Sequence, residues 1–275
     1  MARIIGVNSN CYHGYSIEDA LEGIARAGFH YVELTATKGW TEHVFPDQSF
    51  ERLVEVKNKM KDLDLHPFAM SGHVNLMDPE RIPDFIMNME LAAFFGCEYI
   101  VSSIGEAHIE DKAHATNEEV AQAVKGFVPY LEERDMKLVL EVHGDHGTGR
   151  VLKEIVEMVD SPRVMINYDT ANVIFFGDVD VDMEEDLEFS MDKIGYLHLK
   201  DKGGGIKEWN FPALGKGYVD FPMVFEKLER TKNKSPFSIE IEFTDKGPKD
   251  LDEINRAVKD SYDYLKAHGF SMEKI

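Results

Sequence analysis

Four short apolar runs in the second half of the chain each end in side chains able to ligate a metal. KLVLE ends in Glu141, MINYD ends in Asp169, GYLHLK carries His198, and SIEIEF carries Glu240 and Glu242. Side chains of a strand alternate between its two faces. Leu138, Leu140 and Val142 therefore share one face, and Val139, Glu141 and His143 share the other. The same alternation sets Asp169 against Ile166 and Tyr168, His198 and Lys200 against Leu197 and Leu199, and Glu240 against Ile239 and Ile241. One inward ligand at the end of each of four successive strands is the pattern of a metal centre. Three carboxylates and an imidazole, with no thiolate, suit a hard-to-borderline divalent ion. Manganese (Mn2+) is the expected occupant, and Mg2+, Co2+ and Zn2+ are compatible.

Such a centre supports proton transfer next to a carbonyl. A hydrogen α to a sugar carbonyl is a weak acid, and its loss leaves an enediolate whose charge a divalent cation stabilises. Two carboxylates on opposite faces of the substrate can take a proton from one side and return one from the other, which inverts the centre. Positioned acid–base groups contribute about 10²–10⁴-fold each. Return to the neighbouring carbon gives isomerisation, and departure of a β substituent gives elimination. His143, one pleat beyond Glu141, is a candidate for substrate contact or acid–base work. Lys200 is expected either to bind a substrate oxygen or to pair with Asp201 or an inner glutamate. Glu33 and His73, which end the second and third strands, and Trp209, in a later loop, are expected to contact substrate. His13, Trp40 and His43 lie in loops on the same side.

The elements that must position these residues alternate strictly. Strands are expected at 3–8, 30–34, 65–70, 98–103, 137–142, 164–169, 194–199 and 237–243. Helices are expected between Ser16 and Gly28, over 48–62, from Pro79 to Gly96 with a kink or restart at Pro83, and over 117–134, 150–160, 182–191, 220–232 and 249–268. Ser16 with Asp19 reads as a capping box and Gly28 as a helix stop. Residues 35–47 and 201–219 read as loops, and His108 and His114 as solvated. Eight βα units in 275 residues favour an α/β fold closed as a (β/α)8 TIM barrel, one domain over 1–275. The open doubly wound alternative lacks support, because no strand leads into GxGxxG or GxxxxGK[ST].

With 30 basic and 51 acidic residues, a net charge of −21 excludes nucleic acid and anionic membrane as expected partners. No apolar run reaches the ~18 residues of a membrane helix, and the chain opens directly on a strand. Cys11 and Cys97 read as two free thiols, so a soluble cytoplasmic protein is expected. Beyond Lys38, Lys200 and Lys202 few cations fall at strand ends, which favours a neutral sugar over a sugar phosphate.

LEVHGDHG, INYDTAN, YLHLKD, LGKGYVDF and SIEIEF together resemble the xylose-isomerase-like barrel superfamily, the sugar phosphate isomerase/epimerase group, over nearly the whole chain. The resemblance implies a TIM barrel with its metal site on Glu141, Asp169, His198 and Glu240. Glu240 matches the first acid of the family's E-x-E form, with Glu242 behind it. It also implies that Glu141 and Glu240 double as acid and base on a ketose. Asn172 departs from the pattern, since relatives often carry a histidine there, and it is expected at the substrate. A DNA-repair endonuclease of this barrel type needs a histidine-rich three-zinc cluster, against which Asn172 and the acidic charge both argue. A lyase acting on 3-keto glycosides, like the catalytic subunit of a C-glycoside deglycosidase, fits the Glu141/His143/Asp145 run and would bring a small partner subunit. A 3-keto-glycoside 4-epimerase is closely related. A scaffold with a dead site is opposed by four intact ligands. The expectation is a divalent-metal-dependent isomerase or epimerase of a ketose or keto-sugar, for which a homo-oligomer is compatible.

Overall fold

Eight strands, most of them short, close into a ring in the computed structural model, which describes residues 3–106, 115–177 and 181–275. They are β1 (Ile5–Asn8), β2 (Tyr31–Thr37), β3 (His66–Ser71), β4 (Tyr99–Ser102), β5 (Lys137–Glu141), β6 (Val164–Asp169), β7 (Ile194–Lys200) and β8 (Phe237–Glu240). Each pairs in parallel with the next, and β1 pairs with both β2 and β8, so the ring has no free edge. Tyr31–Thr37 and Ile194–Lys200 are buried along their whole length. Strands with helices outside and side chains filling the barrel inside have no wet face. The fold is the expected TIM barrel.

Aromatic side chains plug the lower barrel. Tyr31, Phe68, Tyr99 and Tyr196 cluster there with Val101 and Val139, and Phe68 stacks on Tyr196 at 5.8 Å between ring centroids. Gly6 makes the room. A Cβ at that position would meet Phe68 Cε1 at 2.4 Å and the Tyr31 carbonyl oxygen at 2.9 Å. The plug leaves the opposite end, where the strands finish, for polar groups.

The helices follow local rules. Ser16 and Asp19 form the reciprocal cap of helix Ile17–Ala27, and Gly28 ends it in the left-handed region. Pro83 does not kink its helix. It occupies the first turn of Ile82–Phe95, where a missing N–H costs nothing. The helix expected over 117–134 is instead two, Asn117–Lys125 and Val128–Glu133, with Pro129 opening the second. A short helix, Asn172–Phe176, follows β6, and the helix expected over 182–191 is Met183–Ser190.

Two expected loops carry sheet. After β2, Thr41–Glu42 turns back antiparallel onto Ala36 and Thr37. The last barrel strand stops at Glu240 rather than 243. Phe243 takes φ 57°, and Phe243–Thr244 pairs antiparallel with Asn210–Phe211 instead. His108 and His114 lie outside the described residues. Among the described residues no helix is long and apolar enough to cross a membrane.

Candidate metal centre

Barrel strands converge at their C-terminal ends. Glu141 from β5, Asp169 from β6, His198 from β7 and Glu240 from β8 meet there, all buried, with one ligating atom of each within 4.8 Å of the others. His198 Nδ1 lies 2.8 Å from Glu141 Oε1, 3.5 Å from Glu240 Oε2 and 3.9 Å from Asp169 Oδ2.

Asp169, His198 and Glu240 are each held by groups outside the cluster. The backbone N–H groups of Ala171 and Asn172 donate to Asp169 Oδ1 at 2.9 and 2.8 Å, because the DTAN turn wraps round its own carboxylate. Imidazole Nε2 of His198 donates to Glu33 Oε2 at 3.0 Å. Glu33 is fixed in turn by the hydroxyls of Tyr196 (2.7 Å) and Ser71 (2.8 Å). A carboxylate behind a histidine sets its tautomer and turns the other nitrogen toward the ligand position. Glu240 accepts from Asn8 Nδ2 at 3.1 Å and from Lys200 Nζ at 3.2 Å.

A divalent cation fits this arrangement. Asp169 Oδ2 is buried without a hydrogen-bond partner among the described residues. Lys200 Nζ and His198 Nδ1 each stand 3.9 Å from it. An unmet buried oxygen costs about 1–3 kcal/mol, and more when charged. Three carboxylate oxygens and one imidazole nitrogen around it are a complete hard-ligand set.

The electrostatics say the same. Burial raises the Asp169 carboxyl well above its ordinary range, and the Glu141 and Glu240 charges push the same way against Lys200. Burial also opposes the charge on Glu141, but His198, with His73 and His143, outweighs it and holds that carboxyl low. For His198, burial is overcome by Glu33, Glu240 and Glu141, which hold the imidazole well above its usual value. Positive charge is wanted at this spot.

The other expected residues divide by position. Glu33 lies beneath the cluster, fully buried, its carboxylate turned to His198 rather than to the cavity. His73 lines the pocket: Nδ1 accepts from the Ser103 N–H at 2.9 Å, which leaves Nε2–H facing Glu141 Oε2 at 3.4 Å. Lys200 pairs with inner carboxylates, at 2.6 Å from Glu242 and 3.2 Å from Glu240. Asp201, the alternative partner, instead accepts backbone N–H groups of Lys202, Gly217 and Val219. Burial and the Glu240 charge lift Glu242 to about 7 despite Lys200. Asn172, His143 and Trp209 all line the pocket, and His143 packs over Phe176 at 4.3 Å. Burial pushes His143 down to about 4 against the pull of Glu141, so its ring is neutral at pH 7. His43 is buried elsewhere and bonds the Tyr15 carbonyl oxygen.

Sequence reasoning missed Asn8, Asn10, Thr35, Thr37, Ser71 and Phe176, which complete the lining. Asn8 had a signal: IIGVN is an apolar run ending in a polar residue, as MINYD is.

A model of the xylose isomerase-like TIM barrel family matches residues 21–268. The chain belongs to this family. No curated protein sequence matches it. Among solved barrels of the same form is the IOLI protein with a binding zinc atom, 18% identical, covering 98% of this chain and 100% of that one at TM-score 0.78. Another is D-allulose 3-epimerase from Methylomonas sp. in complex with D-allulose, 18% identical over 97% of this chain and 98% of that one, TM-score 0.74. A third is the probable 3-DHS dehydratase AsbF from Bacillus anthracis, 16% identical over 96% and 99%, TM-score 0.72. At such identities the likeness establishes the barrel.

Proposed function

We propose that this xylose isomerase-like barrel is a divalent-metal-dependent isomerase or epimerase of a ketose or keto-sugar. The observation that carries the reading is the placement of Glu141 and Glu240. They come from β5 and β8, on either side of the two strands that supply Asp169 and His198, and both reach the cluster and the pocket. A bound divalent cation, which we take to be Mn2+, supplies Lewis-acid stabilisation of negative charge on the substrate's carbonyl oxygen. The two glutamates then take a proton from the α carbon and return one to it, or to its neighbour. Glu141 would enter the reaction ionised through the cation it helps hold, since a His198 that ligates by Nδ1 and donates Nε2–H to Glu33 carries no charge. Lys200 positions Glu240 and Glu242, and His73 fixes the outer oxygen of Glu141. Thr35, Thr37, Ser71 and Asn172 offer partners for sugar hydroxyls, with Trp209 and Phe176 as apolar walls. The zinc in the IOLI protein and the D-allulose in the epimerase complex support a metal-and-sugar reading. We place the reaction on a small neutral sugar in the cytoplasm, with the whole chain acting as one domain.

The test is a panel of ketohexoses with Mn2+ in D₂O. Deuterium at a single carbon with inversion identifies an epimerase, and deuterium with carbonyl migration identifies an isomerase. Glu141→Gln and Glu240→Gln should each slow exchange by about 10²–10⁴-fold. Full exchange in either variant removes that glutamate from proton transfer, and loss of a substituent in place of exchange makes the chain a lyase.

A further inference from the structure

Beside the polar pocket lies a larger cavity of about 760 Å³ with a mostly apolar lining. Asn10, Trp40, His143, Phe176, Trp209 and Glu242 line both, so the two adjoin. Its walls are flat rings. Trp40 stacks on His13 with centroids 4.0 Å apart, and Phe175 meets Trp209 edge-on at 5.7 Å. Phe243 adds a further ring from a backbone at φ 57°, a conformation that disfavours any residue with a Cβ. Its antiparallel pairing with Phe211 holds it there.

Sugar hydroxyls moved against the ring walls of such a space would lose water there, with partners only along its polar edge at Asn10, His143, Glu242 and Thr244. A planar apolar group would instead bury area and meet ring faces and edges in their preferred arrangements. We propose that the substrate carries an aryl substituent on the sugar, which lies in this cavity while the sugar itself reaches the metal cluster. The inference rests on the proposed sugar chemistry of the adjoining site and narrows its substrate from a bare ketose to an aryl-bearing keto-sugar.

Both tryptophans of the chain, Trp40 and Trp209, line the cavity, so an occupant is read in tryptophan emission without turnover. Phenyl β-D-glucoside and methyl β-D-glucoside are titrated into the Mn2+-loaded protein, with calorimetry in parallel. The phenyl compound should bind about 10- to 100-fold more tightly and change the emission. Phe243→Gly removes a ring at a backbone geometry glycine adopts freely, and it should cut the phenyl advantage by about 10-fold. Phe175→Ala provides a second variant should the first misfold. Affinities within about twofold of each other overturn the proposal. Cyclohexyl β-D-glucoside, apolar but not flat, binding as tightly as phenyl overturns the aryl assignment. So does concentration-dependent self-association that changes the emission with no glycoside present. Deuterium exchange on a bare ketohexose together with equal glycoside affinities sinks the aryl subsite and leaves the isomerase reading standing. A phenyl preference with no exchange on any keto-sugar supports the subsite and sinks the isomerase.

Discussion

The two halves of the barrel mouth do different work. Strands β5 to β8 end in the charged side chains that converge on one point, Glu141, Asp169, His198 and Glu240. Asn8 ends β1, Glu33 lies in β2, Ser71 ends β3 and His73 follows it, and these side chains support the cluster from outside. Asn8 holds Glu240, Glu33 holds His198, Ser71 holds Glu33, and His73 faces Glu141. The later half fixes Asp169 through its own turn and reaches Glu240 through Lys200, but supplies no partner for the far nitrogen of His198. The earlier half contributes no ligand to the cluster and supplies the rest of its order. The ligands thus sit on one side of the ring and much of their support on the other.

That division is open to direct attack. The largest effect is expected from the later half. Asp169→Asn should lower Mn2+ affinity by more than about 100-fold, measured by calorimetry. The same variant should melt at higher temperature than the native chain when both are metal-free, because a buried carboxylate repelled by its neighbours has gone. A metal-free variant less stable than the native chain would mean Asp169 is there for folding. From the earlier half, Glu33→Gln leaves every cluster atom in place, yet should cost about 10–100-fold in Mn2+ affinity by releasing the His198 tautomer. Unchanged affinity would dissolve the distinction between the halves.

The smallest effect concerns a histidine of the earlier half that has no carboxylate. Burial lowers His43 from 6.5 to about 4, against the pull of the Tyr15 carbonyl. A folded value below the unfolded one means that stability is full above pH 6.5 and is lost as pH falls toward about 4. The loss should reach about 1 kcal/mol by about pH 6. His43→Gln should flatten this part of the stability–pH curve relative to the native chain, and parallel curves would exclude His43 as its source.

Much of this was legible in the chain before any coordinates. Period-two alternation with an apolar majority marks buried strands, and eight of them in register with helix caps leave few alternatives to a closed barrel. The four strand-end side chains were legible for the same reason, since each sits on the inward phase. What could not be read depends on contacts between distant strands. Glu33 looks like a pocket residue because it is inward at a strand end. Only the depth of Tyr196 and His198, on the far side of the ring, shows that it lies below the cavity. Lys200 had three candidate partners by spacing, and ring closure brings Glu242 to it rather than Asp201. The end of β8 was misread because Ile241 and Phe243 keep the apolar alternation while the backbone at Phe243 turns out of the sheet.

The His198 imidazole touches Glu33 of β2 with one nitrogen and Glu141 of β5 with the other. These two strands are not neighbours in the ring, and neither adjoins β7, which carries the imidazole. A single five-membered ring therefore acts as a cross-brace spanning the hollow of the barrel. Any loosening of the wall around β2 would be felt at the cluster before the wall itself came apart, which makes the grip on the cation a gauge of the cylinder's roundness.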